Sequence, residues 1–253
     1  MLSSRNHETQ HRNRKSTPMS EQKVAIITGA SQGIGAGLVT AYRQIGYAVV
    51  ANSRSMKPSD DAGVEAVAGD IADPATAQDI VATALDRFGR IDALVNNAGI
   101  FTAKPFTEFT PEDFRNNIDI NLGGFFHLTQ RVIEPMLEQG GGHIVNITTT
   151  LVESARSDVP SVLASVTKGG LAAATKSLAI EYAARGIRVN AVAPGFIDTP
   201  LQGGATPEQL AQFHPSKRPG TVEDIVRGVI YLEQSPLVTG EFLHIDGGQS
   251  AGH

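Results

Sequence analysis

From Lys23 onward the chain repeats one pattern: a short apolar run, a turn of small or polar residues, then a longer amphipathic stretch. The apolar runs at 24–28, 47–51, 64–68, 91–95, 143–148, 187–193 and 242–245 have the length of strands. They are continuous rather than alternating, which predicts strands covered on both faces. Between them, the apolar spacing predicts helices at 33–45, 74–88, 111–138, 162–184 and 222–233. Thr110 stands at the N-cap of the third helix and Pro111 at its first helical position, and Pro135 is expected to bend or end its last turn. Residues 194–220 read as a loop. Strands alternating with helices imply one α/β domain with a doubly wound parallel sheet.

Residues 1–20 break the pattern. The stretch MLSSRNHETQHRNRKSTP holds one Leu and four Lys or Arg against one Glu. It has too little apolar surface to offset its ordering entropy, so a disordered basic tail is expected ahead of a folded domain at 21–253. It also lacks the apolar centre of a secretory signal. Composition narrows the rest. Of 253 residues, 41% are hydrophobic and 19% charged, with a formal net charge of -5. That balance is globular and disfavours a nucleic-acid partner. The chain has no cysteine, which excludes disulfides, thiolate catalysis and Cys-ligated metal. No His or carboxylate spacing matches a metal site, so no metal is expected. No apolar run approaches ~18 residues, so no membrane span is expected, and a cytoplasmic location is.

Chemistry enters where the first strand meets the first helix. Gly29-Ala30-Ser31-Gln32-Gly33-Ile34-Gly35 fills that turn. Glycines there let the backbone bend sharply and approach a pyrophosphate, which then rests on the helix N-terminus. The spacing Gly-x-x-x-Gly-x-Gly differs from the usual dinucleotide fingerprint and resembles the variant of the short-chain dehydrogenase/reductase family. Asn96-Asn97-Ala98-Gly99, Asn121 in DINLGG, Lys168 in SVTKGG, Pro194-Gly195 and Asp246-Gly247-Gly248 resemble further landmarks of that family in the same order. The resemblance spans about residues 22–250 and implies a single-domain, Rossmann-type doubly wound parallel sheet flanked by helices.

The end of the second predicted strand bears on cofactor choice. An NAD site places a carboxylate there to hold both ribose hydroxyls. Here Ser53 occupies that position and Arg54 follows it. A hydroxyl and a guanidinium suit a 2′-phosphate, so NADP(H) is favoured over NAD(H). Gln32 tempers this, because many NADP-dependent relatives carry a basic residue at that position. The resemblance further implies that Asp70, with Ile71, contacts the adenine. It also places Thr199 at the pyrophosphate and the Ile197 backbone at the nicotinamide carboxamide.

In the family the proton for the reduced carbonyl comes from a Tyr four residues before the Lys, on the same helix face. The residue four before Lys168 is Ala164, and no Tyr lies close by. The position of the family's Ser falls on Thr149, which keeps a hydroxyl. The stretch between Thr149 and Ala164 looks about two residues longer than the family's usual length. Ser161, Asp158, Glu153 and a water held by Asn121 and Lys168 are alternative sources of the proton. Three readings follow. The first is an NAD(P)(H)-dependent oxidoreductase with an atypical active site, acting on a carbonyl or secondary alcohol of a small molecule. The second is a catalytically impaired NADP(H)-binding sensor or scaffold. The third is an enzyme of this fold with other chemistry. The small-residue helix at 162–184, beside that at 111–138, resembles the family's dimer-forming pair, so a homotetramer is expected.

Overall fold

The inner strands of the sheet are apolar enough to be hidden on both faces, whereas Val64–Ala68 and Phe242–Ile245 at its two edges are only partly buried. The computed structural model describes residues 22–252, so the expected N-terminal tail lies outside the described residues. The strands are β1 (Val24–Thr28), β2 (Ala48–Ser53), β3 (Val64–Ala68), β4 (Ala93–Asn96), β5 (Gly142–Ile147), β6 (Ile187–Pro194) and β7 (Phe242–Ile245). They form one all-parallel sheet in the order β3-β2-β1-β4-β5-β6-β7. Successive side chains of β1 point to opposite faces, as the strand repeat requires. Ala25 and Ile27 enter one core with Leu38 and Tyr42 of α1 (Gly33–Gln44) and Ile225 and Val229 of α7 (Val222–Glu233). Val24 and Ile26 enter the other, against Ile80 of α2 (Pro74–Phe88) and Leu128 and Val132 of α4 (Gly124–Glu138).

The order of strands matters for the site. The chain builds β1, β2 and β3 outward on one side, then crosses to lay β4 on the other side of β1. The loops leaving β1 and β4 therefore part in opposite directions and leave a crevice at their carboxyl ends, where ligands of open α/β sheets bind.

Two stretches depart from the sequence reading. The expected helix at 111–138 is α3 (Pro111–Asn117), a π-helical turn at Ile118–Gly123, and α4. Asn121 lies in the π turn. Its Oδ1 accepts from the Ile100 N–H at 2.9 Å, and its Nδ2 donates to the Ile100 carbonyl at 3.1 Å and to Thr167 Oγ1 at 3.0 Å. One wide turn lets that side chain reach the loop after β4, and such turns collect at functional sites. The α4 helix also continues past Pro135 to Glu138. The expected loop at 194–220 contains α6 (Pro207–Ala211), started by a capping box between Thr206 and Gln209. This segment packs through Phe196 and Leu210 on Leu151 and Val159 of the loop after β5. The remaining long helix, α5 (Val162–Tyr182), covers β6. Among the described residues no helix is long and apolar enough to cross a membrane.

Candidate active site

Thr28, the last residue of β1, ties the two loops of the crevice together. Its Oγ1 accepts from the N–H groups of Asn97 and Ala98, each at 3.0 Å. Asn97 Nδ2 answers by donating to the Thr28 carbonyl at 2.8 Å. Glycine is required at this crossing. A Cβ on Gly35 would sit 2.1 Å from the Gly29 carbonyl oxygen, and Gly29 itself has a φ of +65°. The turn therefore brings bare backbone to the crevice. The α1 helix that follows has Gln32 at its N-cap, and that side chain makes no capping bond. By contrast, α2, α3, α6 and α7 are capped by Asp73, Thr110, Thr206 and Thr221. The first N–H groups of α1 thus lack a side-chain cap and face the crevice, an arrangement suited to an anion.

The crevice holds a cavity of about 280 Å³. Ser31, Gln32, Gly33 and Ile34 line it at one end, Ser53, Arg54, Asp70 and Ile71 at another, and Asn97, Ala98, Gly99 and Thr199 along its floor and rim. Ser53 Oγ is buried without a hydrogen-bond partner among the described residues. Arg54 is exposed beside it, and Asp70 Oδ1 accepts from the Ala72 N–H at 3.0 Å. Asn52, Gly69, Ile120 and Leu201, which the sequence does not mark as cofactor residues, also line this cavity. An orphan hydroxyl, an uncapped helix start and an approach only glycine permits fit a phosphorylated dinucleotide.

A second cavity of about 120 Å³ adjoins the first, sharing Ile34, Asn97, Gly99, Ile100, Thr199 and Leu201 with it. Ala164 and Lys168 of α5 line it, with Thr149, Pro194, Gly195, Ile197 and Gln249. Lys168 is buried, and its Nζ donates to the Ile147 carbonyl at 2.8 Å. Burial pushes its pKa down from 10.5 to about 8. A Cβ on Gly99 would lie 2.9 Å from Lys168 Nζ and 3.0 Å from Asn121 Oδ1, so the loop after β4, Lys168 and Asn121 meet at one point. Thr149 Oγ1 accepts from the Leu151 N–H at 3.3 Å and remains free to donate.

The structure sorts the other proton-donor candidates. Ser161 is the residue before α5, buried, and is not among the cavity-lining residues. Asp158 pairs with Arg156 at 2.8 Å, and Glu153 lies 3.1 Å from His244 Nε2. Neither carboxylate lines the cavity. Two residues of the surroundings had no part in the sequence reading. His214 Nε2 accepts from the Phe196 N–H at 2.9 Å while Nδ1 donates to the Arg218 carbonyl at 2.8 Å, which fixes the segment that walls the cavity. Gln249 was hidden behind the Asp246-Gly247-Gly248 motif, whose glycine pair is the signal that the chain turns back there.

The chain is similar to proteins described as reductases. A family profile described as enoyl-(acyl carrier protein) reductase matches residues 29–250. The 3-oxoacyl-[acyl-carrier-protein] reductase of Synechocystis is 37% identical over 239 residues, covering 89% of this chain and 96% of that protein. The acetoacetyl-CoA reductase of Rhizobium meliloti is 34% identical, covering 90% and 98%. Among solved structures, ElxO with NADP bound superposes with a TM-score of 0.84 at 31% identity, covering 91% of this chain and all of that one. The 3-ketoacyl-(acyl-carrier-protein) reductase of Brucella melitensis complexed with NADH gives 0.82 at 32% identity, covering 90% and 98%.

Proposed function

The chain belongs to the short-chain dehydrogenase/reductase family, and from that premise we propose that it is an NADP(H)-dependent oxidoreductase whose family Tyr position is held by Ala164. It is an oxidoreductase of a small-molecule carbonyl or secondary alcohol and binds a nicotinamide dinucleotide. One observation carries the reading: the phosphate cradle and the cavity with Lys168, Thr149 and Ala164 are two halves of one continuous cleft. When bound, the cofactor supplies the hydride.

The chain's own residues do the rest. The N–H groups at the start of α1 and the Gly29 turn hold the pyrophosphate. Ser53 Oγ, buried and unpartnered, and Arg54 hold the 2′-phosphate, with charge-assisted bonds that NAD(H) cannot receive. Asp70 and Ile71 bound the adenine end. Ile197 and Thr199 bound the nicotinamide and pyrophosphate, with Pro194 and Gly195 behind them. Thr149 donates a hydrogen bond to the substrate oxygen. Lys168 holds a water in the space that a phenol would fill, and that water passes the proton on, while the Asn121 amide is taken up by Ile100 and Thr167 and fixes the loop after β4 beside Lys168. A methyl at 164 cannot donate one, which also keeps the impaired sensor or scaffold as the second reading.

The exposed faces of Phe114 and Phe126, on the two helices flanking the π turn, and of Val162 and Val166 on α5 support the homotetramer. Light scattering at micromolar concentration checks it, and a monomer mass removes it. For the function, NADPH absorbance is followed with a panel of ketones, aldehydes and quinones. Turnover supports the oxidoreductase; tight NADPH binding without turnover on any of them supports the sensor.

A further inference from the structure

The cavity beside Ala164 has a polar wall that the reduction of a carbonyl leaves unused. Gln249 lines it, is 1% exposed, and has neither Oε1 nor Nε2 bonded to any described residue. Buried amides are rarely left so, because losing water without a replacement is costly. The backbone around it is the opposite of loose. The Asp246 carboxylate accepts from the N–H groups of Gly248 at 2.9 Å and Ser250 at 2.8 Å. The Gln249 N–H donates to the Asp246 carbonyl at 3.2 Å. Its own carbonyl accepts from Ser154 Oγ at 3.2 Å, a residue of the lengthened loop after Thr149. Gly247 and Gly248, with φ of +62° and +93°, make the turn that returns the chain to the cavity. The main chain is clamped from both sides, and three side-chain torsions remain to swing the amide toward a ligand.

The rest of the wall defines that ligand. Among the described residues lining the cavity, Lys168 is the only ionisable one, and its ammonium already donates to the Ile147 carbonyl and stands beside the reacting group, so a further carboxylate or phosphate on the ligand finds no second cation there. Ile147, Leu151 and Phe196 surround an apolar body. The volume of about 120 Å³ is small beside the ~300–1,000 Å³ of common ligand pockets. An amide gives one acceptor and two donors, and a hydroxyl can satisfy both kinds at once. We propose that Gln249 is a specificity-determining residue that hydrogen-bonds a substrate hydroxyl other than the reacting group, so that the cavity selects small, neutral hydroxy-carbonyl compounds. This rests on the oxidoreductase reading of the same cavity.

The test is binding of 2-hydroxycyclohexanone and cyclohexanone by calorimetry to wild type, Gln249→Leu and Gln249→Met, each without cofactor, because NADP+ is an oxidant for the hydroxyl of the first and NADPH a reductant for both ketones. Wild type is expected to bind the hydroxy compound at least ~10-fold more tightly, the worth of one well-placed buried polar contact. Both variants should bind cyclohexanone within twofold of wild type and lose the preference. Both should melt at or above the wild-type temperature, since two unpartnered polar atoms are gone; a merely structural amide would lower it. Equal affinity of wild type for the two ketones, no binding of either, or a preference that survives in both variants overturns the proposal. Fluorescence titration with NADPH is read separately. If the cofactor does not bind, the oxidoreductase reading falls, while the cofactor-free ketone pair still decides the role of Gln249.

Discussion

The two ends of the sheet bury polar groups in opposite ways. At the amino ends of the strands, the Glu233 carboxylate accepts from Tyr47 Oη at 2.7 Å, Tyr42 Oη at 3.1 Å and His143 Nδ1 at 2.8 Å. His143 Nε2 accepts in turn from Asn190 Nδ2 at 3.0 Å, which keeps the ring neutral, and burial pushes its pKa down. Burial pushes the Glu233 carboxyl up, but the bonds from His143 and the tyrosines outweigh it and hold the group below its ordinary value. Arg188 closes the cluster by donating to the Leu232, Glu233 and Val238 carbonyls. At the carboxyl ends, Lys168 has one bond, Ser53 and Gln249 offer orphan atoms, and α1 starts without a cap. Both ends contain a buried titratable side chain. The cavities of about 280 and 120 Å³ lie beside the end whose polar groups are unsatisfied, which fits groups kept for folding at one end and groups kept for a ligand at the other.

The largest expected effect breaks the ligand end. Lys168→Met should cut kcat/KM for carbonyl reduction by ~10²–10⁴, the usual worth of a positioned acid–base group. Its urea stability at pH 7 should be unchanged or higher, because a poorly bonded buried ammonium is gone. The pH dependence has a definite sign. Burial lowers Lys168 from 10.5 to about 8, so between these values the unfolded chain binds more protons than the folded one. Wild type should therefore gain stability relative to Lys168→Met as pH rises from 8 to 10.5, by up to about 3 kcal/mol, lose that gain as pH falls back from 10.5 to 8, and show no further change below 8. A difference that does not vary with pH would contradict a buried ammonium.

Breaking the other end should do the reverse. Glu233→Ala strands two phenols and an imidazole, and is expected to cost about 3–5 kcal/mol in denaturant unfolding. NADPH affinity of the remaining folded protein should not change. An activity loss larger than the loss of folded protein would mean the two ends are coupled.

Two smaller effects sharpen the ligand end. Arg54→Ala should weaken NADPH binding ~10–100-fold, as loss of a charge-assisted bond does, and leave NADH within twofold. Equal loss for both cofactors would show that Arg54 does not read the 2′-phosphate. Ala164→Tyr should raise carbonyl reduction at least ~10-fold, part of the general-acid effect, because the adjoining cavity gives the ring a place beside Lys168. The gain should vanish when Lys168→Ala is added. A folded Ala164→Tyr protein with normal NADPH binding and no gain would mean that the site has been rebuilt around another donor.

The apolar runs and the Gly29–Gly35 turn were enough to place the sheet, most of its helices and the tight glycine turn after β1, because strand burial and a positive φ impose residue types locally. Lys168, Thr149 and Asn121 were named from spacing and resemblance, and the structure brings Lys168 and Thr149 to one cavity with Asn121 beside Lys168. The sequence did not reveal the π turn at Asn121, since its cause is a bond to Ile100, which lies in the loop after β4. It also missed α6, although Thr206 and Gln209 carry the capping box, because the surrounding prolines and glycines read as loop.

What the sequence by itself determined is the order of elements and the chemistry available at each turn, both of which depend on residues close together in the chain. What only the tertiary structure decided is which polar groups are left without partners. His143 meets Glu233 only because β5 and α7 pack together, and Gln249 stands against the cavity only because Ser154 and Asp246 fix its backbone. Satisfaction of a buried group is a property of distant segments meeting, 90 residues apart for His143 and Glu233, and no local pattern encodes it.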